Sequence, residues 1–348
     1  MKVSKKWFLL VICLMLAVVL VAGCGQQPTA EKEQPKSEEQ GQQEAKADEW
    51  PKDPINIVVP YSTGGTTDRL ARAIAPFLQK ELGVPVVIEN RSGGGGLVGT
   101  QAHFLNDSDD GSYLVYTLQP YLSGQIIRGS DFGLNDFDYL GVTYWSPQAI
   151  FVQKDSPYKT FEDLVKALQE DASKVKYSYI PSSWSQVASA QLDELAGQEA
   201  TGVPYDGGGP QRMAVVSGEV DYTITELHGT MSSVGEDIRT LALFDEEESK
   251  DFPGIPLAND ILQEMGLPKM PIMSNFRFLM VKKGFKEKYP DRWDKLEGAL
   301  NKAFENPEMQ DFVEKQKLSV YWKGPDFATK AVKDSDQTCQ KFKRFWEN

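Results

Sequence analysis

The stretch Ile55-Asn56-Ile57-Val58-Val59-Pro60-Tyr61-Ser62-Thr63-Gly64-Gly65-Thr66-Thr67-Asp68-Arg69-Leu70-Ala71-Arg72 decides the fold. Its first five residues form a nearly continuous apolar run, the mark of a strand buried on both faces. A turn rich in glycine and hydroxyls follows. Leu70, Ile74, Phe77, Leu78 and Leu82 then recur at helical spacing, and residues 84–89 return to a strand pattern. Strand, turn, helix and strand in close succession make a βαβ unit, and hence a parallel sheet covered by helices.

The same rhythm continues outward. Residues 113–118, 139–143, 149–153, 176–180 and 220–224 read as strands, and 161–168 and 187–195 as helices. Tyr289, Trp293, Leu296, Leu300 and Phe304 mark a long helix near the end. Proline and glycine clusters at 146–147, 155–157 and 268–271 offer crossings between two α/β lobes. A ligand would then lie in the crevice between them, at the carboxyl ends of the strands.

Composition narrows the chemistry. The 348 residues carry 37 Lys and Arg against 50 Asp and Glu, a formal charge of -13, which disfavours nucleic acid as a partner. Two histidines, His103 and His228, and three cysteines, Cys13, Cys24 and Cys339, supply neither a Cys/His zinc site nor a disulfide framework. No metal and no cofactor is expected.

The turn 60–68 has two readings. Free N–H groups at the start of the following helix can bind an anion, with glycines letting backbone approach it closely. Alternatively, Thr66, Thr67 or Asp68 simply caps that helix. The run has no Gly-Lys-Ser/Thr, so it is not a P-loop. A G-x-G-x-x-G match spans 94–99, but positions 116–120 hold no acid to receive a ribose. Neither H-E-x-x-H nor G-x-S-x-G occurs, and both histidines read as structural.

Three lysines precede Trp7, and residues 7–23 are uncharged and mostly apolar, which reads as an export signal. The end, Val21-Ala22-Gly23-Cys24, resembles the lipobox of bacterial lipoproteins, making Cys24 a lipidation point. Removing 1–23 takes away three Lys and no acid, leaving 34 basic and 50 acidic residues, a balance of -16. Residues 25–49 contain no Leu, Ile, Val or aromatic residue and read as a flexible tether spanning roughly 25–30 Å.

Several motifs together resemble the extracytoplasmic solute receptors of tripartite tricarboxylate transporters, the Bordetella uptake receptor type. They are Trp50-Pro-x-x-Pro54-Ile55-x-Ile57-Val58-Val59-Pro60-Tyr61-x-x-Gly64-Gly65-x-x-Asp68-x-x-Ala71-Arg72, then Leu82-Gly83-x-Pro85-Val86-Val87-x-Glu89-Asn90-Arg91 and the glycine loop. Asp110-Gly111-x-Tyr113, Val203-Pro204-Tyr205 with Gly207, and Gly218-Glu219-Val220-Asp221 extend the likeness over residues 50–345.

The resemblance implies an α/β, two-lobe periplasmic-binding-protein-like fold that closes on a small organic carboxylate and passes it to the membrane subunits of a tripartite transporter. The chain would be a non-enzymatic, extracytoplasmic monomer. Its expected organisation is a signal peptide over 1–23, a tether over 24–49, lobe 1 from 50–147 plus 278–348, and lobe 2 from 148–277. By the same resemblance, the first ligand loop comprises Tyr61, Ser62, Thr63, Gly64, Gly65, Thr66, Thr67 and Asp68; because like charges repel, Asp68 is expected to fix the loop as a cap or hydrogen-bond acceptor and not to touch the anion. The second comprises Ser182, Ser183, Trp184 and Ser185, where Trp184 fills space that relatives leave to glycine. Tyr205 and Glu226 complete the expected site. If Glu226 and Asp206 face the cleft, they favour a ligand with an ammonium or several hydroxyls. The rival readings are a secreted α/β hydrolase and a ligand-sensing receptor for a membrane signalling protein.

Cys24→Ser should abolish lipid labelling and release the protein from the membrane fraction. A variant that stays membrane-bound with its lipid label intact would contradict acylation at Cys24.

Overall fold

The run that reads as a buried strand is one: Ile55–Val59 has four of its five residues buried. The computed structural model describes residues 49–347, within the unit Asp48–Asn348. The signal segment, Cys24 and all but the last residue of the expected tether lie outside the described residues. Among the described residues, no helix is long and apolar enough to cross a membrane.

The strands, in chain order, are β1 (Ile55–Val59), β2 (Val86–Asn90), β3 (Tyr113–Gln119), β4 (Phe137–Gln153), β5 (Lys176–Tyr179), β6 (Thr201–Pro204), β7 (Tyr222–Glu226), β8 (Ile238–Phe244), β9 (Ser274–Lys282) and β10 (Val320–Lys323). β1 lies parallel to β2 and β3, as the βαβ pattern requires. β5 lies parallel to β6 and β7 in a second group. The helix Thr66–Leu82 covers the first group because Leu70, Ile74, Leu78 and Leu82 share one buried stripe. It stops at Gly83, whose φ of 75° is the left-handed conformation a C-cap wants.

The two groups meet on β4. The sequence reads as two strands broken at 146–147, whereas β4 runs unbroken through Ser146 and Pro147. Residues 137–147 pair with β9, and 148–153 pair with β7 and β8. Pro147 has no N–H to donate, and Gln148 resumes by donating to Met273 O at 3.0 Å. The proline therefore falls where the strand exchanges one set of partners for the other. β9 joins the first group from Ser274 onward, four residues before the expected boundary at 278.

The C-terminal segment also departs from its expected place wholly within lobe 1. The helix Pro325–Lys341 starts in a core with Val115 and Phe278, through Ala328 and Val332. Its far end joins the other core, where Cys339 and Trp346 pack with Ile150, Phe161, Val187 and Ile224 of the second group. The cause is a large aromatic surface seeking cover. Trp346 lies 5.6 Å from Trp184 between ring centroids, and its indole N–H donates to Ser183 O at 3.2 Å.

The glycine loop serves packing between the groups. A Cβ at Gly95 would sit 2.0 Å from Pro181 O, and one at Gly124 would sit 2.6 Å from Ser182 Cβ. Backbone from the two sides therefore touches with no room for a side chain.

Trp346→Ala should cost about 3–5 kcal/mol in urea unfolding, the range for truncating a buried aromatic. A loss below about 1 kcal/mol would mean that the C-terminal segment is not part of the second core.

Candidate functional site

The site begins where β1 runs out. Gly64, at a φ of 83°, turns the chain, and its N–H donates to Asp68 Oδ2 at 2.9 Å. Asp68 is buried and also pairs with Arg72 at 2.9 Å, so it braces the turn from behind. The helix Thr66–Leu82 then starts with no side-chain cap. From the other group, the helix Gly208–Val216 also starts uncapped. The two starts face each other: a Cβ on Gly65 would lie 3.7 Å from Gly208 N and 3.8 Å from Gly209 N. Each carries roughly half a positive charge from its free N–H groups.

Between them lies a cavity of about 30 Å³, lined by Tyr61, Gly65, Thr66, Thr67, Leu118, Tyr121, Ile180, Gly208, Arg212, Thr225, Glu226, Asn275 and Arg277. Three of these side chains are charged and buried. Arg277 donates from Nε to Thr67 Oγ1 and from Nη1 to Glu226 Oε2, both at 2.9 Å. Its guanidinium lies 4.4 Å from the centre of the Tyr144 ring. The other Glu226 oxygen accepts from the Thr66 hydroxyl.

Arg212 is the less satisfied of the two cations. It donates to Gly64 O at 3.3 Å and Thr66 Oγ1 at 3.5 Å, and stands 3.8 Å from Glu226 Oε1. Burial outweighs the help of Glu226 and pulls its pKa down to about 10. Burial alone would push the Glu226 carboxyl up, but Arg277 and Arg212, with hydrogen bonds from Arg277 and Thr66, bring it down to about 2. Arg277 is raised above its ordinary value, Glu226 overcoming the cost of burial. Two guanidiniums against one carboxylate, with the two helix starts beside them, leave the cavity positive.

Only part of the expected site reaches this cavity. From the first loop, Tyr61, Gly65, Thr66 and Thr67 line it. Gly64 contributes its carbonyl to Arg212, Thr63 is exposed, and Ser62 packs beside Gly207 outside the lining. None of the second loop lines it. Ser182 accepts from Arg128 at 3.1 Å, Ser183 caps the helix Trp184–Ala196, and Ser185 Oγ accepts from Ile180 N at 3.2 Å. Trp184 is turned into the second core, its indole N–H on Ser274 O at 3.1 Å, and so takes no ligand space in the cavity. Ile180 and Tyr121 occupy that side instead.

Tyr205 is half-buried against another apolar cluster, and Asp206 is exposed. Glu226 does line the cavity, but with its two oxygens taken by Thr66 and Arg277 it does not stand free for an ammonium. The sequence reading missed both arginines. Arg277 had a signal, a lone charge inside the apolar run 276–281; Arg212 had none.

The histidines are held as structural groups. His103 is fully buried against Asp107, and burial brings its pKa down to about 4. Ser146 Oγ lies 2.9 Å from His228 Nδ1, and Asp251 lies 3.0 Å from Nε2. Ser146 is fully buried and also accepts the His228 backbone N–H, so this row joins β4 to the start of the helix Leu227–Val234.

Comparison with known proteins gives the context. Residues 70–344 match the family described as the tripartite tricarboxylate transporter family receptor. A Pseudomonas sp. (strain P51) protein, named as a UPF0065 protein in the tcbD-tcbE intergenic region, is 25% identical over 300 residues, covering 84% of this chain and 86% of its own. The fold is similar to that of the periplasmic binding protein BugD, with a TM-score of 0.74 at 22% identity over 85% of this chain and 98% of that one. It is also similar to MatC from Rhodopseudomonas palustris with bound malate, with a TM-score of 0.72 at 22% identity, covering 86% and 99%. The two-lobe periplasmic-binding architecture is thereby shown.

The depressed Glu226 carboxyl sets an acid response. Its contribution to stability is complete above pH 4.5, the ordinary value, and is lost as pH falls towards about 2. Glu226→Gln should cost about 3–5 kcal/mol at pH 7, because it strands two buried guanidiniums, and should flatten the acid limb of a urea-unfolding series. A variant as stable as the parent at pH 7 would contradict the pairing.

Proposed function

The chain belongs to the tripartite tricarboxylate transporter family of receptors, and we propose that its cleft captures a small organic carboxylate and delivers it to the membrane subunits of such a transporter. The observation that carries this reading is Arg212. A guanidinium has five N–H donors, yet this buried one makes only two long hydrogen bonds. A ligand carboxylate would supply the missing acceptor and balance the excess charge. The uncapped starts at Gly65 and Gly208 would add backbone donors, with Thr66 and Thr67 beside them. Malate bound to the similar protein MatC supports the ligand class.

In this reading the two lobes, 50–147 with most of the chain from 274 onward and 148–273 with the C-terminal end, close on the ligand about β4 and the chain before β9. The donors come from both, so the ligand draws them together. The protein acts as a monomer outside the cytoplasm. Residues 1–23 direct export, Cys24 carries the lipid, and 25–49 let the receptor turn towards its membrane partner.

A thermal-shift screen over small carboxylates should raise the unfolding temperature, since a ligand at 100 times its dissociation constant adds about 2.7 kcal/mol. Calorimetry on Arg212→Gln should show a loss of about tenfold or more in affinity. A screen in which no carboxylate stabilises the parent protein would overturn the proposal.

A further inference from the structure

We infer that Asn275 reads an uncharged hydrogen-bond donor on the ligand, so that the cleft prefers a 2-hydroxy acid to the same acid without its hydroxyl. The inference rests on the carboxylate-receptor reading above and deepens it by naming a second polar group of the ligand.

Asn275 stands two residues before Arg277 on β9, which puts both side chains on one face of that strand. Both line the cleft cavity. Asn275 is 4% exposed, and its side-chain oxygen is buried with no hydrogen-bond partner among the described residues. Leaving such an acceptor unserved is costly, and native proteins seldom do so without a reason. Its neighbours in the cavity are engaged: Tyr61 with Thr117, Thr66 with Glu226, and Thr67 and Glu226 with Arg277. The Thr225 hydroxyl also lines the cavity, but it both donates and accepts and so does not discriminate.

The chemistry of the missing donor follows from charge. Its partner must carry a hydrogen, which an ionised carboxylate does not. An ammonium carries one but meets a positive site. Arg212, Arg277 and the two helix starts face the single carboxylate of Glu226, and Arg69, bonded only to the neutral Ser232 and Gly229 O, acts on Arg212 as well. A hydroxyl is the smallest neutral donor. It also answers an amide turned end for end, because it accepts as well as donates.

Asn275 and Arg212 line the same small cavity, so the hydroxyl belongs on the carbon next to the carboxylate. The volume of about 30 Å³ holds about two waters and no organic acid of any kind. The ligand therefore enters with the lobes parted, and these side chains then close on it. Volume does not rank one acid above another here; the polar partners do. In the open cleft, water serves the Asn275 oxygen. On closure a ligand hydroxyl replaces that water, whereas a methylene expels it and strands the oxygen.

Calorimetry with two pairs, malate against succinate and lactate against propionate, isolates the hydroxyl, because the members of each pair carry the same carboxylates on the same carbon chain. The parent protein should bind the hydroxy acid of each pair about fivefold or more tightly. In folded Asn275→Ala, checked by circular dichroism, that ratio should fall to about one. A parent ratio below about fivefold, or a variant ratio nearer to the parent's than to one, would overturn the inference and leave the carboxylate-receptor reading standing. Where one pair binds, that pair decides; where both bind, both must show the effect. If the screen finds other carboxylates and none of these four, its hit is compared with and without a 2-hydroxyl in the same way. If no carboxylate binds the parent, the carboxylate-receptor reading fails and takes the inference with it. Should Asn275→Ala not fold, the nearly isosteric Asn275→Leu takes its place, and should neither fold, the parent ratio decides.

Discussion

The Glu226 carboxylate, shared between Arg277, Arg212 and Thr66, is the interaction on which the cleft depends. Burying three charges costs several kcal/mol per ion, and only close pairing with good geometry repays it. The backbone supplies that geometry through β4. Arg277 sits opposite Tyr144 of β4, and Glu226 sits opposite Gln148 of the same strand. One continuous strand thus fixes both partners of the tightest ion pair, while Thr66 and Thr67 bring in the first helix start. Shifting β7 or β9 by one residue would turn the charged side chain to the opposite face of its strand.

The same strand explains how two α/β groups share one site. β4 changes partners at Pro147, β9 begins just after the second crossing, and the C-terminal segment crosses again to end against Trp184. The uncapped starts at Gly65 and Gly208 face each other because glycines on both sides allow backbone to approach backbone. The positive character of the cleft therefore comes partly from side chains and partly from peptide dipoles.

Much of this was legible in the sequence, and the remainder was not for identifiable reasons. The βαβ start was readable because an apolar run, a glycine turn and a helical stripe follow one another in the stretch 55–72. Thr66 and Thr67 were readable as the residues that open a helix. Trp184 was misplaced because a tryptophan beside an expected loop looks the same whether it faces ligand or core; the core it joins is closed over it by the distant Trp346 and Phe342. Arg212 occupies a helix whose local pattern does not distinguish a buried arginine from a solvated one. Glu226 was legible as a site residue, but its role depends on Arg277 and Arg212, which stand 51 and 14 residues away along the chain.

The most direct measurement is a crystal structure of the protein with a bound small organic carboxylate. The account predicts the carboxylate oxygens within hydrogen-bond reach of the Arg212 guanidinium and of the backbone at the two facing helix starts, with Glu226 still paired to Arg277. A carboxylate held away from Arg212, or lodged outside the cavity between Gly65 and Gly208, would contradict it.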